Sequence, residues 1–85
     1  MPPIRIYTTA YCPYCHSAKR LLQNKKAAFE EIDLTGDSAG RRDLVAKADG
    51  RTTVPQIWIG DRHVGGCDDL YALDASGELD RLLAT

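Results

Sequence analysis

The chain has 85 residues, which suits a single domain over residues 1–85 and leaves no length for a second domain or a long lid. Its 11 basic and 12 acidic residues nearly cancel, at net charge -1, and are spread without a basic patch, so a nucleic-acid partner is not expected. Apolar runs are only a few residues long, so no membrane-spanning helix is expected, and Met1-Pro2-Pro3 shows neither the basic stretch nor the apolar run of a secretory leader. The cysteine count of 3 is odd and does not suggest a disulfide framework, which favours a reducing, cytoplasmic compartment.

Ile4–Thr8 alternates apolar and polar residues and predicts a first strand. Pro13 to about Lys25 has helical periodicity, with Ala18, Leu21 and Leu22 on the inner face. Ala28–Asp33 predicts a second strand with Phe29 as its bulkiest core residue, and the strand–helix–strand order implies a parallel pair with a right-handed crossover. A second helix, capped by Asp37 or Ser38, runs to about Lys47 with Leu44, Val45 and Ala48 on its apolar face, and Asp49-Gly50 ends it. Gln56–Ile59 and Arg62–Val64, joined at Gly60-Asp61, predict an antiparallel hairpin. Trp58 in this hairpin is assigned to the core. A third helix opens at Cys67-Asp68-Asp69 and reaches about Leu73; after Ser76-Gly77, Leu79, Leu82 and Leu83 form a last amphipathic turn or two. Neither repeats nor low-complexity segments occur.

The chemistry concentrates at Cys12-Pro13-Tyr14-Cys15, where the first strand meets the first helix. Two thiols at this spacing and junction form a reversible redox couple. Pro13 fits the first helical position, because its missing N–H has no intrahelical partner to lose. Cys12 is thereby placed at the N-cap, facing the unpaired N–H groups of the first turn, and the backbone N–H groups of Tyr14 and Cys15 are the expected donors that hold its sulfur as thiolate. Cys15, one turn inside the helix, is expected to be the more buried thiol. A zinc site would need four ligands. Beyond the pair the chain offers Cys67, His16 and His63 and no second C-x-x-C, so no metal is assigned. Val54-Pro55, before the third strand, is a candidate cis bond, against the plainer reading of a strand-start proline. Gly65-Gly66 allows a ligand close to the backbone, and the helix that follows can hold an anion at its N-terminus, although Asp68 could equally serve only as a cap.

Taken in order, these elements match the thioredoxin-like arrangement: an α/β fold with a four-stranded mixed sheet and helices on both faces. C-P-Y-C at 12–15, T-V-P at 53–55 and G-G-C-D-D at 65–69, in this order, resemble the dithiol glutaredoxins over nearly the whole chain. The resemblance implies a thiol–disulfide oxidoreductase that uses glutathione as co-substrate and acts on glutathionylated proteins and on protein disulfides such as that of ribonucleotide reductase. It implies Cys12 as nucleophile and Cys15 as resolving thiol. It also implies that Pro55 is cis, that Val54 with Thr53 beside it offers its backbone to the tripeptide, that Tyr14 flanks the sulfur, and that Gly66, Cys67 and Asp68 contact the γ-glutamyl end. Cys67 is expected to be non-catalytic, and the protein to be monomeric.

The pattern departs from the family at Thr9, where dithiol glutaredoxins carry a lysine that binds the glycyl carboxylate of glutathione. Arg42, in the second helix, is the expected substitute for that contact. A hydrogen donor for ribonucleotide reductase that is itself reduced by thioredoxin reductase is a second reading of this fold, but such proteins lack the G-G-C-D-D surface. A glutathione-ligated iron–sulfur carrier is a third, against which Pro13 and Tyr14 argue.

Overall fold

A computed structural model describes residues 1–84. The elements are β1 (Ile4–Thr8), α1 (Pro13–Asn24), β2 (Glu30–Asp33), α2 (Ser38–Lys47), β3 (Gln56–Ile59), β4 (Arg62–Gly65), α3 (Cys67–Ala75) and α4 (Glu78–Leu83). The sheet order is β2-β1-β3-β4, with β1 and β2 parallel and the other two pairs antiparallel. This is the mixed four-stranded sheet of the thioredoxin-like fold.

The alternation along β1 decides which face carries the core. Ile4 and Ile6 turn inward with Ile57 and Ile59 of β3, and onto them pack Ala18, Leu21 and Leu22 of α1, Leu70 of α3, and Leu79 and Leu83 of α4. Helix α2 lies on the other face, where the Lys47 ammonium is 5.7 Å from the centroid of the Tyr7 ring. Asp37 caps α2, its carboxylate accepting the Gly40 N–H at 2.8 Å. No helix among the described residues is long and apolar enough to cross a membrane.

Several boundaries differ from the sequence reading. β2 starts at Glu30, and Phe29 packs half-buried against the core just before it. α3 extends to Ala75, and the last amphipathic stretch is a separate short helix entered through Gly77, whose φ of 82° suits glycine. Trp58 is not in the core. With Ile57 and Ile59 turned inward, strand alternation sends Trp58 to the opposite face, where its ring meets Tyr7 edge-on at 5.4 Å and stacks on His63 at 4.4 Å. In the β3–β4 ladder Ile57 pairs with Gly65 and Trp58 with His63, so Val64 is the extra residue of a bulge.

Leu22 is fully buried where α1 meets the sheet. Leu22→Ala is expected to lower the unfolding free energy by about 2–5 kcal/mol, measured by urea denaturation.

Candidate active site

Antiparallel pairing brings three loops to one end of the sheet. β1 ends there, β3 starts there, and β4 ends there, because each neighbour runs opposite to the last. The C-P-Y-C, T-V-P and G-G-C-D-D segments occupy those three positions.

Cys12 is the N-cap of α1, in extended conformation (φ -121°, ψ 101°), with Pro13 opening the helix. Its sulfur accepts the Cys15 N–H at 3.1 Å and lies 3.5 Å from the Val54 carbonyl oxygen, to which the thiol form donates. Of the two expected backbone donors, Cys15 N–H is the one that reaches the sulfur; no bond from Tyr14 N–H is present among the described residues. The loop before Cys12 is tied to the strand beside it: Ala10 N–H donates to Thr35 Oγ1 at 2.8 Å, and that hydroxyl donates to Asp33 at 2.6 Å.

Cys15 is fully buried, Cys12 is 8% exposed, and both are free thiols. Burial, reinforced by the hydrogen bond to the Cys12 sulfur, pushes the Cys15 thiol up to about 12. Cys67 is also raised, first by burial and then by the neighbouring Asp68 charge.

A cleft opens beside the pair. Of the residues singled out from sequence, Tyr14, Thr53, Val54, Pro55, Gly66, Cys67 and Asp68 line it, and the Val54-Pro55 bond is cis. Arg42 lies on α2 as expected, where it is exposed and is not among the residues that line this cleft. The neighbouring Arg41 is the side chain that α2 directs at the loop, its Nη2 donating to the Thr52 carbonyl at 2.8 Å. The guanidinium in the cleft belongs to Arg51, which sequence reasoning passed over as part of the loop after α2.

Arg51 Nη1 is 3.1 Å from Asp69 Oδ2, and the same oxygen accepts the Gly66 N–H at 2.9 Å. Asp69 therefore fastens the start of α3 to the cleft wall. Gly65, at φ 112°, sits so close that a Cβ there would collide with Asp69 and Arg51. The Gly66 N–H first, and Arg51 after it, hold the Asp69 carboxyl below the usual aspartate range. The cleft thus presents one guanidinium, two carboxylates and a helix N-terminus, a set suited to a zwitterion.

A dithiol at a helix N-terminus, beside a cis-proline on this sheet, defines a thiol–disulfide oxidoreductase of the thioredoxin-like fold. Comparison narrows the class: the glutaredoxin family profile matches residues 4–64, and the chain belongs to the glutaredoxins. It is 61% identical over 84 residues to a glutaredoxin of Pseudomonas aeruginosa, covering 99% of each chain. It is 55% identical over 83 residues to glutaredoxin 3 of Escherichia coli K12, covering 98% of this chain and 99% of that one. A crystal structure of a buckwheat glutaredoxin–glutathione complex superposes with a TM-score of 0.88 at 31% identity, covering 98% of this chain and 77% of the other.

Asp69 binds its proton less readily when folded than when unfolded, so its carboxylate stabilises the fold above the ordinary aspartate value of 3.8, and that contribution is lost as pH falls through its lowered pKa. Asp69→Ala is expected to cost roughly 0.5–1 kcal/mol at neutral pH after solvent screening. The difference from wild type should vanish in strong acid, as followed by chemical denaturation across pH.

Proposed function

We propose that this glutaredoxin reduces glutathione mixed disulfides through Cys12 alone and protein disulfides through Cys12 and Cys15 together, with glutathione as the reductant. The observation that carries the reading is the Cys12 sulfur, which meets the Cys15 N–H on one side and the Val54 backbone on the other, at the edge of a cleft with zwitterion-binding groups.

In the first route the Cys12 thiolate attacks the glutathione sulfur of a mixed disulfide. The Cys12–glutathione bond forms, the substrate's sulfur–sulfur bond breaks, and the substrate leaves as a thiolate that takes up a proton. A second glutathione thiolate then attacks the bound glutathione sulfur, which releases Cys12 as thiolate and glutathione disulfide as product. In this second half Cys12 is the leaving group, and the Cys15 N–H donates to the sulfur that departs.

Binding follows from the lining. Val54 offers backbone N–H and C=O to the extended tripeptide, as a strand edge would, with Thr53 beside it and Tyr14 across the sulfur. The N-terminus of α3 at Gly66, Cys67 and Asp68 receives the γ-glutamyl carboxylate, and the Asp68 carboxylate pairs with the ammonium. Arg42, exposed on α2, is assigned only to a glycyl carboxylate that reaches out of the cleft.

In the second route Cys12 attacks a protein disulfide, and Cys15 then attacks the Cys12 sulfur to free the substrate's second thiolate and close the Cys12–Cys15 bond. Two glutathione molecules reduce that bond, giving glutathione disulfide. Burial, the first cause that raises the Cys15 thiol, persists in the mixed disulfide, whereas the lesser contributions of the Cys12 sulfur are removed there, so Cys15 is easier to ionise at the step where it attacks.

Cys12→Ser is expected to abolish turnover of a glutathionylated peptide in a glutathione and glutathione reductase assay, and Cys15→Ser to keep it while losing reduction of a protein disulfide. Loss of both activities in Cys15→Ser would defeat this division of roles, and turnover sustained by thioredoxin reductase in place of glutathione would defeat the assignment of the reductant. At neutral pH, iodoacetamide should modify Cys12 well before Cys15, as read by peptide mass mapping.

A further inference from the structure

Gln56 opens β3, yet its side chain is fully buried. A buried amide costs free energy unless each of its groups is bonded. Here each is: the NH2 group donates to the Thr53 carbonyl at 3.0 Å and to Thr53 Oγ1 at 3.3 Å, and Oε1 meets His63 Nε2 at 2.7 Å. The Thr53 carbonyl can only accept, so the amide nitrogen must face it and the amide oxygen must face His63. That oxygen can only accept in turn, which places a proton on His63 Nε2. The imidazole is itself held flat against Trp58, with centroids 4.4 Å apart and planes 19° from parallel.

The chain of contacts runs from the indole on the α2 face of the sheet, through His63 and Gln56, to Thr53. Gln56 reaches back three residues, so its bond closes a ring around Val54-Pro55. These are the residues that line the cleft and approach the Cys12 sulfur. An aliphatic side chain could fill this strand position with no polar groups to satisfy. The amide instead fixes the direction of one peptide unit, the one joining Thr53 to Val54.

We propose that Gln56 and His63 are positioning residues for the disulfide substrate: they set the orientation of the Thr53–Val54 peptide unit so that the Val54 N–H, which belongs to it, meets an extended γ-glutamyl tripeptide in register. This rests on the glutathione reading of the cleft. Neither side chain touches the substrate or either active cysteine. Their effect falls on how well the substrate seats; the Cys12 sulfur keeps its two contacts, the Cys15 N–H and the Val54 carbonyl, the latter in the Val54–Pro55 peptide that Gln56 does not bond.

Gln56→Leu removes both arms of the relay, and His63→Phe keeps a ring on Trp58 but removes the donor to Gln56. Wild type and both variants would be assayed with a glutathionylated peptide, glutathione and glutathione reductase, with the rate of Cys12 alkylation by iodoacetamide measured beside them. The expected result is a rise of about 3- to 10-fold in KM for the peptide, the range of one lost hydrogen bond, with kcat within about twofold and the alkylation rate unchanged. An unchanged KM, or a fall in alkylation rate that matches the loss of turnover, would overturn the proposal, the latter because it marks general loosening of the site. If Gln56→Leu does not fold, His63→Phe decides alone. No turnover by wild type would sink the glutathione reading itself, whereas active wild type with unmoved KM in the variants would sink only the positioning role.

Discussion

The contact between the Cys15 N–H and the Cys12 sulfur, at 3.1 Å, is the constraint on which the rest of the site depends. An N-cap is usually an oxygen-bearing side chain that accepts from the first turn. A sulfur in that position performs the same structural task and is kept where N–H groups point. Pro13 helps to place it: with φ fixed and no N–H to satisfy, proline starts the helix one residue after Cys12. The cap and the contact to the sulfur are therefore one interaction, to which the second cysteine of the motif contributes its backbone.

Sheet order brings the remaining parts to this sulfur. Had β3 run parallel to β1, the T-V-P segment would lie at the far end of the sheet from C-P-Y-C. The antiparallel β1–β3 and β3–β4 ladders place the end of β1, the start of β3 and the end of β4 together. The bulge at Val64 and the positive φ of Gly65 then turn the chain into α3, and Asp69 ties that start through Gly66 N–H and Arg51. Short local devices finish what the topology begins.

Much of this was legible in the sequence because it is encoded locally. β1 and the N-cap at Cys12 follow from alternation and from proline chemistry, and the three motifs carry their own backbone demands. Trp58, Arg51 and Gln56 were harder, for separate reasons. Trp58 is large and apolar, which suggests the core, but its face depends on the parity of Ile57 and Ile59, and an aromatic layer of Tyr7, Trp58 and His63 under α2 gives it another home. Arg51 acts through Asp69, eighteen residues away in sequence and next to it only in the fold. Gln56 looks like a solvated strand-start residue until its partners are known, since periodicity records where apolar side chains go and says nothing of where a polar one is satisfied. Arg41, beside Arg42 on α2, was also missed, because one residue on a helix is a rotation of about 100° and its bond to the Thr52 carbonyl exists only in the fold.

The three thiols show how one side chain is placed in two kinds of surroundings. Cys15 and Cys67 are raised, and in both burial is the first cause; a thiol in an apolar setting keeps its proton and packs as a small hydrophobe. Cys12 is as inaccessible as Cys67, each at 8% exposure, so accessibility alone does not separate them. What separates them is what the sulfur faces. Cys67 is the first residue of α3 and has a carboxylate next to it in Asp68, whereas Cys12 precedes the first residue of α1 and has an N–H aimed at it. A shift of one position across a helix start, from cap to first turn, exchanges a donor for an acidic neighbour. The different surroundings of the two sulfurs are in this sense a matter of helix register, set by the proline that follows one of them and the glycine that precedes the other.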